Sequence, residues 1–243
     1  MRYLAMISML LVLAGCSQES TWDCIQSEGD KTVTEIALDG DFQRIKIKDD
    51  INLVLHNGLG QRVEIRTGEN LVPEINFRLE DGQLTISNDN TCRWSRPSKN
   101  VEVHIYTDTL QHIEKRGYGD IWSEDVLDYS FRVLSYVPGL VDLELNTRWI
   151  GFELYALTNV ELTGQVFSMG VYVNTAVDAI VRAEDLAVDI VTVTHDGFNS
   201  VHVSPTQELV YSIWNSGDIY LYQEPAVVTE MERTGTGEVI RNF

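Results

Sequence analysis

Basic residues are scarce in this sequence. Lys and Arg number 18 against 37 Asp and Glu, a formal net charge of −19 over 243 residues. Such an excess repels phosphate backbones and anionic headgroups, so nucleic acid is not expected as a partner. There are only five histidines and three cysteines, with no CxxC pair and no HxxxH spacing that reads as a zinc site. A P-loop, a Rossmann fingerprint and a GxSxG elbow are all missing, so no cofactor or catalytic residue is expected. Only five prolines occur. Beyond the N-terminus, no apolar run approaches the roughly 20 residues that span a bilayer as a helix.

What is present begins with a leader. Behind Arg2, an apolar stretch runs from Leu4 to Leu13, broken only by Ser8. It is too short for a permanent span and fits a secretory signal peptide. The following Leu13-Ala14-Gly15-Cys16 resembles the bacterial lipobox. That resemblance implies removal of residues 1–15 and acylation of the Cys16 thiol, which tethers the chain to a membrane. Ser17, in place of Asp, implies sorting to the outer membrane by the same resemblance. Loss of Arg2 leaves 17 basic and 37 acidic residues, a net charge of −20. Residues 16–35 then read as a tether. Cys24 and Cys92 remain, and an exported, oxidising setting points to a disulfide between them, with two free thiols as the alternative. Closing a loop this long stabilises by about 4 kcal/mol at most on the chain-entropy model.

The whole chain has an ordinary apolar fraction of 44%, enough for a folded core, and the body is residues 36–243. Helical periodicity is scarce, and short alternating runs dominate, such as Arg44-Ile45-Lys46-Ile47 and Val101-Glu102-Val103-His104-Ile105. Apolar residues two apart mark strands with one buried face. In the second half a polar residue precedes a short strand at Asp120, Asp142, Asn159, Asp178, Asn199, Asp218 and Glu238, with steps of 22, 17, 19, 21, 19 and 20 residues. A unit of that length cannot bury its own apolar face, but stacked units can. The expected fold is all-β, a right-handed β-helix or β-solenoid. An antiparallel sandwich is the rival.

Several segments resemble one family. Asn215-Ser216-Gly217-Asp218-Ile219-Tyr220-Leu221-Tyr222-Gln223-Glu224-Pro225 is similar to its "GSGxIxYxGxP" ending, and Thr234-Gly235-Thr236-Gly237-Glu238-Val239-Ile240 to its final "G-x-G-x-I" turn. Arg116-Gly117-Tyr118-Gly119-Asp120-Ile121 looks like its first turn; Gly68-Glu69-Asn70-Leu71 and Gly82-Gln83-Leu84-Thr85-Ile86 look like its upstream elements. The family is that of auto-transporter adhesins with a head GIN domain. The resemblance implies a β-helical exported lipoprotein with an adhesin role and brings no catalytic residues. The middle turns depart from the pattern at Val137-Pro138-Gly139, Asn174-Thr175 and His195-Asp196-Gly197.

Three features of the sequence could carry chemistry. His195-Asp196 reads as a turn. The acidic turn residues read as turn caps, each accepting nearby backbone N–H groups, with calcium between coils as the sharper alternative. Alternation places Tyr220 and Tyr222 outside the core, and with Trp214 they are the expected ligand-binding residues, able to stack on a sugar ring. The expected function is therefore a non-enzymatic envelope lipoprotein that binds a surface ligand, glycan or protein. A polysaccharide-active β-helix enzyme and a structural envelope component are the alternatives.

Overall fold

The computed structural model describes residues 27–89, 101–175 and 177–243. Cys16, Cys24 and Cys92 lie outside the described residues. The chain opens with β1 (Lys31–Ile36), β2 (Arg44–Asp49), β3 (Asn52–Asn57), β4 (Arg62–Gly68), β5 (Ile75–Glu80), β6 (Gln83–Asn88) and β7 (Glu102–Thr107). It continues through β8 (His112–Gly117), β9 (Ile121–Ser123) and β10 (Phe131–Ser135). Three long strands follow, β11 (Gly139–Leu154), β12 (Thr158–Val173) and β13 (Ile180–His195), then β14 (Val201–Ile213), β15 (Ile219–Leu221), β16 (Val227–Arg233) and β17 (Val239–Arg241). Among the described residues a 3-10 turn, Val72–Glu74, interrupts the β-structure.

The strands wind into a β-solenoid of about six turns. Its pairing follows two ladders. The first runs β6-β2-β8-β10 and on through the C-terminal halves of β11 to β14 to β16, all parallel. The second runs β7-β3-β9 and on through the N-terminal halves of β11 to β14 to β15 and β17, also parallel. Each long strand turns a corner from the second ladder to the first; between β11 and β12 the pairing skips Arg148.

Stacking explains why these strands form. In the second ladder Val103, Leu53, Ile121, Val141, Val160, Val181, Val201 and Ile219 lie on successive coils in register. All eight are buried, and each such side chain contributes about 1.5–3 kcal/mol. Leu84, Ile45, Ile113, Val133, Phe152, Val171 and Val193 make the matching row of the first ladder.

The N-terminal half obeys the same stacking in a different order. The β2–β3 coil lies between the β6–β7 coil and the β8–β9 coil. The chain therefore lays its second coil first and returns to place its neighbours. β1 and β4 extend the second ladder antiparallel, and β5 extends the first, which covers the open ladder edges at that end.

The polar turn residues fall into register only in part. Asp120, Asn159, Asp218 and Glu238 share one row with Leu140, Ile180 and Ser200. Asp142 stands two residues further along, beside Trp122 and Glu161. Asp178 and Asn199 precede the row. Leu140 and Ile180 thus interrupt the row of acidic turns, which relieves the repulsion that stacked carboxylates would suffer. The caps also reach further than expected. Asn52 Oδ1 accepts the N–H of Asp120 at 3.0 Å, and Asp120 Oδ1 accepts that of Leu140 at 2.8 Å, each from the next coil.

Two ionisable groups point inward at the end of the first ladder. Lys115 is fully buried, and its Nζ donates to the carbonyls of Gly117 and Pro138, each at 2.8 Å. His195 accepts the N–H of Gly197 at Nδ1, 3.2 Å away, and donates from Nε2 to Asn199 O at 2.8 Å. Burial pushes its pKa down, consistent with a neutral ring. His195 knots the turn that the sequence pattern suggests.

Candidate functional site

Tyr220 and Tyr222 flank inward Leu221 and lie on the outer surface, half-buried. Both pack on His202. The Tyr220 ring stacks on it at 4.8 Å and 8°, and the Tyr222 hydroxyl lies 2.9 Å from His202 Nδ1. Trp214 stands exposed just past the end of β14, where its Nε1 donates to Glu232 at 3.1 Å. Among the described residues no ring contact joins Trp214 to the tyrosine pair. The three expected residues therefore do not form one platform.

A different set of aromatics does converge. Arg132, Gly151, Gly170 and Thr192 occupy one outward row across β10 to β13. Glu153, Tyr172 and Thr194 occupy the row beside it. The two glycines leave a trough of about 250 Å³ between these side chains and Trp149. Trp149 folds over Gly151, whose added β-carbon would lie 2.6 Å from the indole. Gly170 has nothing within 4 Å of that position and forms an open floor. Trp149 is one wall and Tyr172 another.

Polar groups edge the trough. Arg132 pairs with Glu153 at 3.3 Å, and its guanidinium lies 5.6 Å from the Trp149 ring. The other Glu153 oxygen accepts from the Tyr155 hydroxyl at 3.2 Å. Burial, helped by Glu153, raises the Tyr155 pKa, so the phenol stays a donor. Burial and then Arg132 push His112, the neighbour of Arg132 on β8, downward. A strip of rings continues along the coils: Arg116 over Tyr136 at 3.5 Å, Tyr136 on Tyr155 at 4.7 Å, and Tyr155 beside Tyr172 at 6.0 Å. Such a surface can stack on sugar rings and hydrogen-bond their hydroxyls. Trp149, Tyr155 and Tyr172 are among the aromatics that recur along the sequence, but nothing there singles them out, because the floor between them is two glycines 19 residues apart, which look like turn residues.

A second cluster lies on the outward side of the second ladder. His56 and Tyr106 are register partners on β3 and β7, with their rings 4.2 Å apart. His104, two residues before Tyr106, is fully buried, and its Nδ1 lies 2.9 Å from His56 Nε2. Burial holds the His104 pKa down. Glu124 follows β9 and is anchored by its N–H to Leu55 O at 3.1 Å. The two histidines are 48 residues apart, and no spacing motif announces them.

The chain belongs to the family described as "Putative auto-transporter adhesin, head GIN domain", whose pattern matches residues 41–225. Solved structures carry the same fold. A Bacteroides fragilis protein described as "a putative adhesin" aligns with a TM-score of 0.76 at 18% identity, over 88% of this chain and 97% of that one. A Parabacteroides merdae protein of the same description aligns at 0.53 and 20% identity, over 88% and 97%. A Parabacteroides distasonis protein described as "Putative lipid binding protein" aligns at 0.59 and 15% identity, over 88% and 98%. No curated protein matches the chain.

Proposed function

We propose that this chain is a non-enzymatic adhesin-like module of the cell envelope that binds an uncharged glycan in the Trp149–Tyr172 trough. The observation that carries this reading is the open Gly170 floor between two aromatic walls, edged by the Arg132–Glu153 pair. The net charge supports a neutral ligand over an anionic polymer. Among the residues lining the trough only Glu153 carries a carboxylate, and it is engaged by Arg132 and Tyr155. Glycoside hydrolysis takes two carboxylates, about 5–9.5 Å apart, which supports binding over turnover. The Tyr220–Tyr222 pair is a secondary contact, and Trp214 a separate one.

The experiment is a glycan array followed by calorimetry on its hits, with a turnover assay on the same polysaccharides. Trp149→Ala and Tyr172→Ala should each weaken binding at least tenfold, and Tyr220→Ala and Tyr222→Ala less. Reproducible bond cleavage abolished by Glu153→Gln would overturn the reading. So would binding that both trough variants leave unchanged.

The same proposal places the module on a lipid anchor at Cys16 in the outer membrane, with Cys24 and Cys92 joined. Adhesin kinship and the leader pattern support a surface location. Cys16→Ser should move the protein out of the membrane fraction, and unreduced mass spectrometry should find the Cys24–Cys92 peptide. Retention of the variant in membranes, or two alkylatable thiols in native material, would refute the respective claim.

A further inference from the structure

We propose that His56, His104 and Glu124 form a binding site for one divalent transition-metal ion of the zinc class. The three ligand atoms come from three adjacent coils and lie within 4.8 Å of one another. The ring protons of the two histidines can point away from the gap between them toward flanking carboxylates. His104 Nε2 lies 3.3 Å from Glu102 Oε2, and His56 Nδ1 lies 3.3 Å from Asp125 Oδ2. An ionised carboxylate only accepts, so Glu102 takes the N–H of His104 Nε2, and Asp125, at ion-pair distance, favours the His56 proton on Nδ1. One tautomer of His56 donates from Nε2 to His104 Nδ1; with the His56 proton on Nδ1, the lone pairs of His104 Nδ1 and His56 Nε2 face each other across 2.9 Å. Two lone pairs at that distance repel, and a shared cation turns the repulsion into two bonds.

The distances suit such an ion. Two nitrogens each about 2.0–2.1 Å from one metal stand about 2.9–3.4 Å apart for angles between a right angle and a tetrahedral one. The Glu124 carboxylate is half exposed and 3.8 Å from His56 Nε2, so a small rotation of its side chain closes a third position. That exposed side is also the entry path and leaves room for water. Glu102 and Asp125 orient the rings as carboxylate partners of metal-bound histidines do. The nearby Arg62 and Arg66 are paired with Glu64, so the remaining carboxylates leave the cluster anionic. Two imidazoles and one carboxylate select zinc, cobalt, nickel or copper over calcium and magnesium, which take oxygen ligands.

The test uses the detergent-solubilised full chain, free of any polyhistidine tag and stripped with chelator. Zinc is titrated by calorimetry and cobalt by visible absorption. The expected result is one ion per chain, with cobalt bands of a nitrogen–oxygen site, and a zinc-dependent rise in melting temperature. His56→Ala should weaken zinc at least tenfold and remove that rise. Glu124→Ala, at an exposed side chain that leaves the fold intact, should weaken it several-fold. Absence of saturable uptake by the native chain would overturn the site and leave a proton shared between the two rings. One-to-one uptake retained at full strength in both variants would overturn it equally.

Discussion

The Asp218 carboxylate accepts a hydrogen bond from the backbone N–H of Glu238, 2.8 Å away and one coil further on. Asp120 does the same for Leu140, and Asn52 for Asp120. At each of these corners a short side chain satisfies a backbone donor that the parallel ladder leaves over. The acceptor oxygen matters and the charge does not, since Asn52 performs the task as an amide. Asp218→Ala should therefore lower unfolding free energy by about 1–3 kcal/mol. Asp218→Asn should stay within about 0.5 kcal/mol of the native chain. Urea unfolding of the two variants decides the point; an Asn variant as unstable as the Ala one would show that charge is what counts.

Lys115 carries a pH signature. Burial pushes its ammonium from 10.5 down to about 8, against the opposing Asp120 carboxylate. Between those values the unfolded chain holds a proton that the folded chain does not. Stability contributed by this group therefore rises as pH climbs from about 8 to 10.5, and the full penalty stands below that window. Lys115→Met removes the titration. Across pH 7.5 to 10 the native chain should gain on the order of 2–3 kcal/mol relative to the variant. Parallel pH profiles of the two chains would contradict this.

Tyr129 is buried beside Phe131, and its hydroxyl has no hydrogen-bond partner among the described residues. Burial drives its phenol far above the usual tyrosine range, so it is never ionised at working pH. An unpaired buried hydroxyl is a desolvation penalty without return. Tyr129→Phe should raise stability by about 1 kcal/mol, read as a higher melting temperature. A lower one would mean that the hydroxyl has a partner in solution.

The second half of the fold is legible because Ile121, Val160, Val201, Ile219 and Val239 recur at one or two times a step of about 20 residues and do stack, with Val141 and Val181 filling the two double steps. Asp142 stands off the turn row because β11 alternates for 16 residues and alternation alone does not mark a corner, while Asp178 and Asn199 lie in the turns two and one residues ahead of the row. The N-terminal half hid its order for a topological reason. Ile45 pairs with Leu84 and with Ile113, so its neighbours in space are 39 and 68 residues away. The same non-sequential winding brings His56 to His104. Alternation puts Tyr220 and Tyr222 outward, where the structure has them, but parity does not say which exposed rings share a surface.

Gly151 and Gly170 are register partners on β11 and β12, yet a side chain at each meets different surroundings. Above Gly170 there is open space, and its backbone angle is ordinary for any residue. Glycine weakens a strand interior by roughly 0.5–1 kcal/mol relative to alanine, so Gly170→Ala should hold or raise the melting temperature. Gly170→Val should also fold, with its branched side chain standing in the trough between Trp149 and Tyr172. Glycan affinity should fall at least tenfold in the valine variant while stability does not. At Gly151 the new β-carbon lands 2.6 Å from the Trp149 ring, so Gly151→Ala must swing the indole away. It should lose affinity with a visible change in tryptophan fluorescence, which Gly170→Val should largely lack. A floor with no role in binding would leave the valine variant's affinity untouched, and a glycine kept for the fold would make that variant unstable.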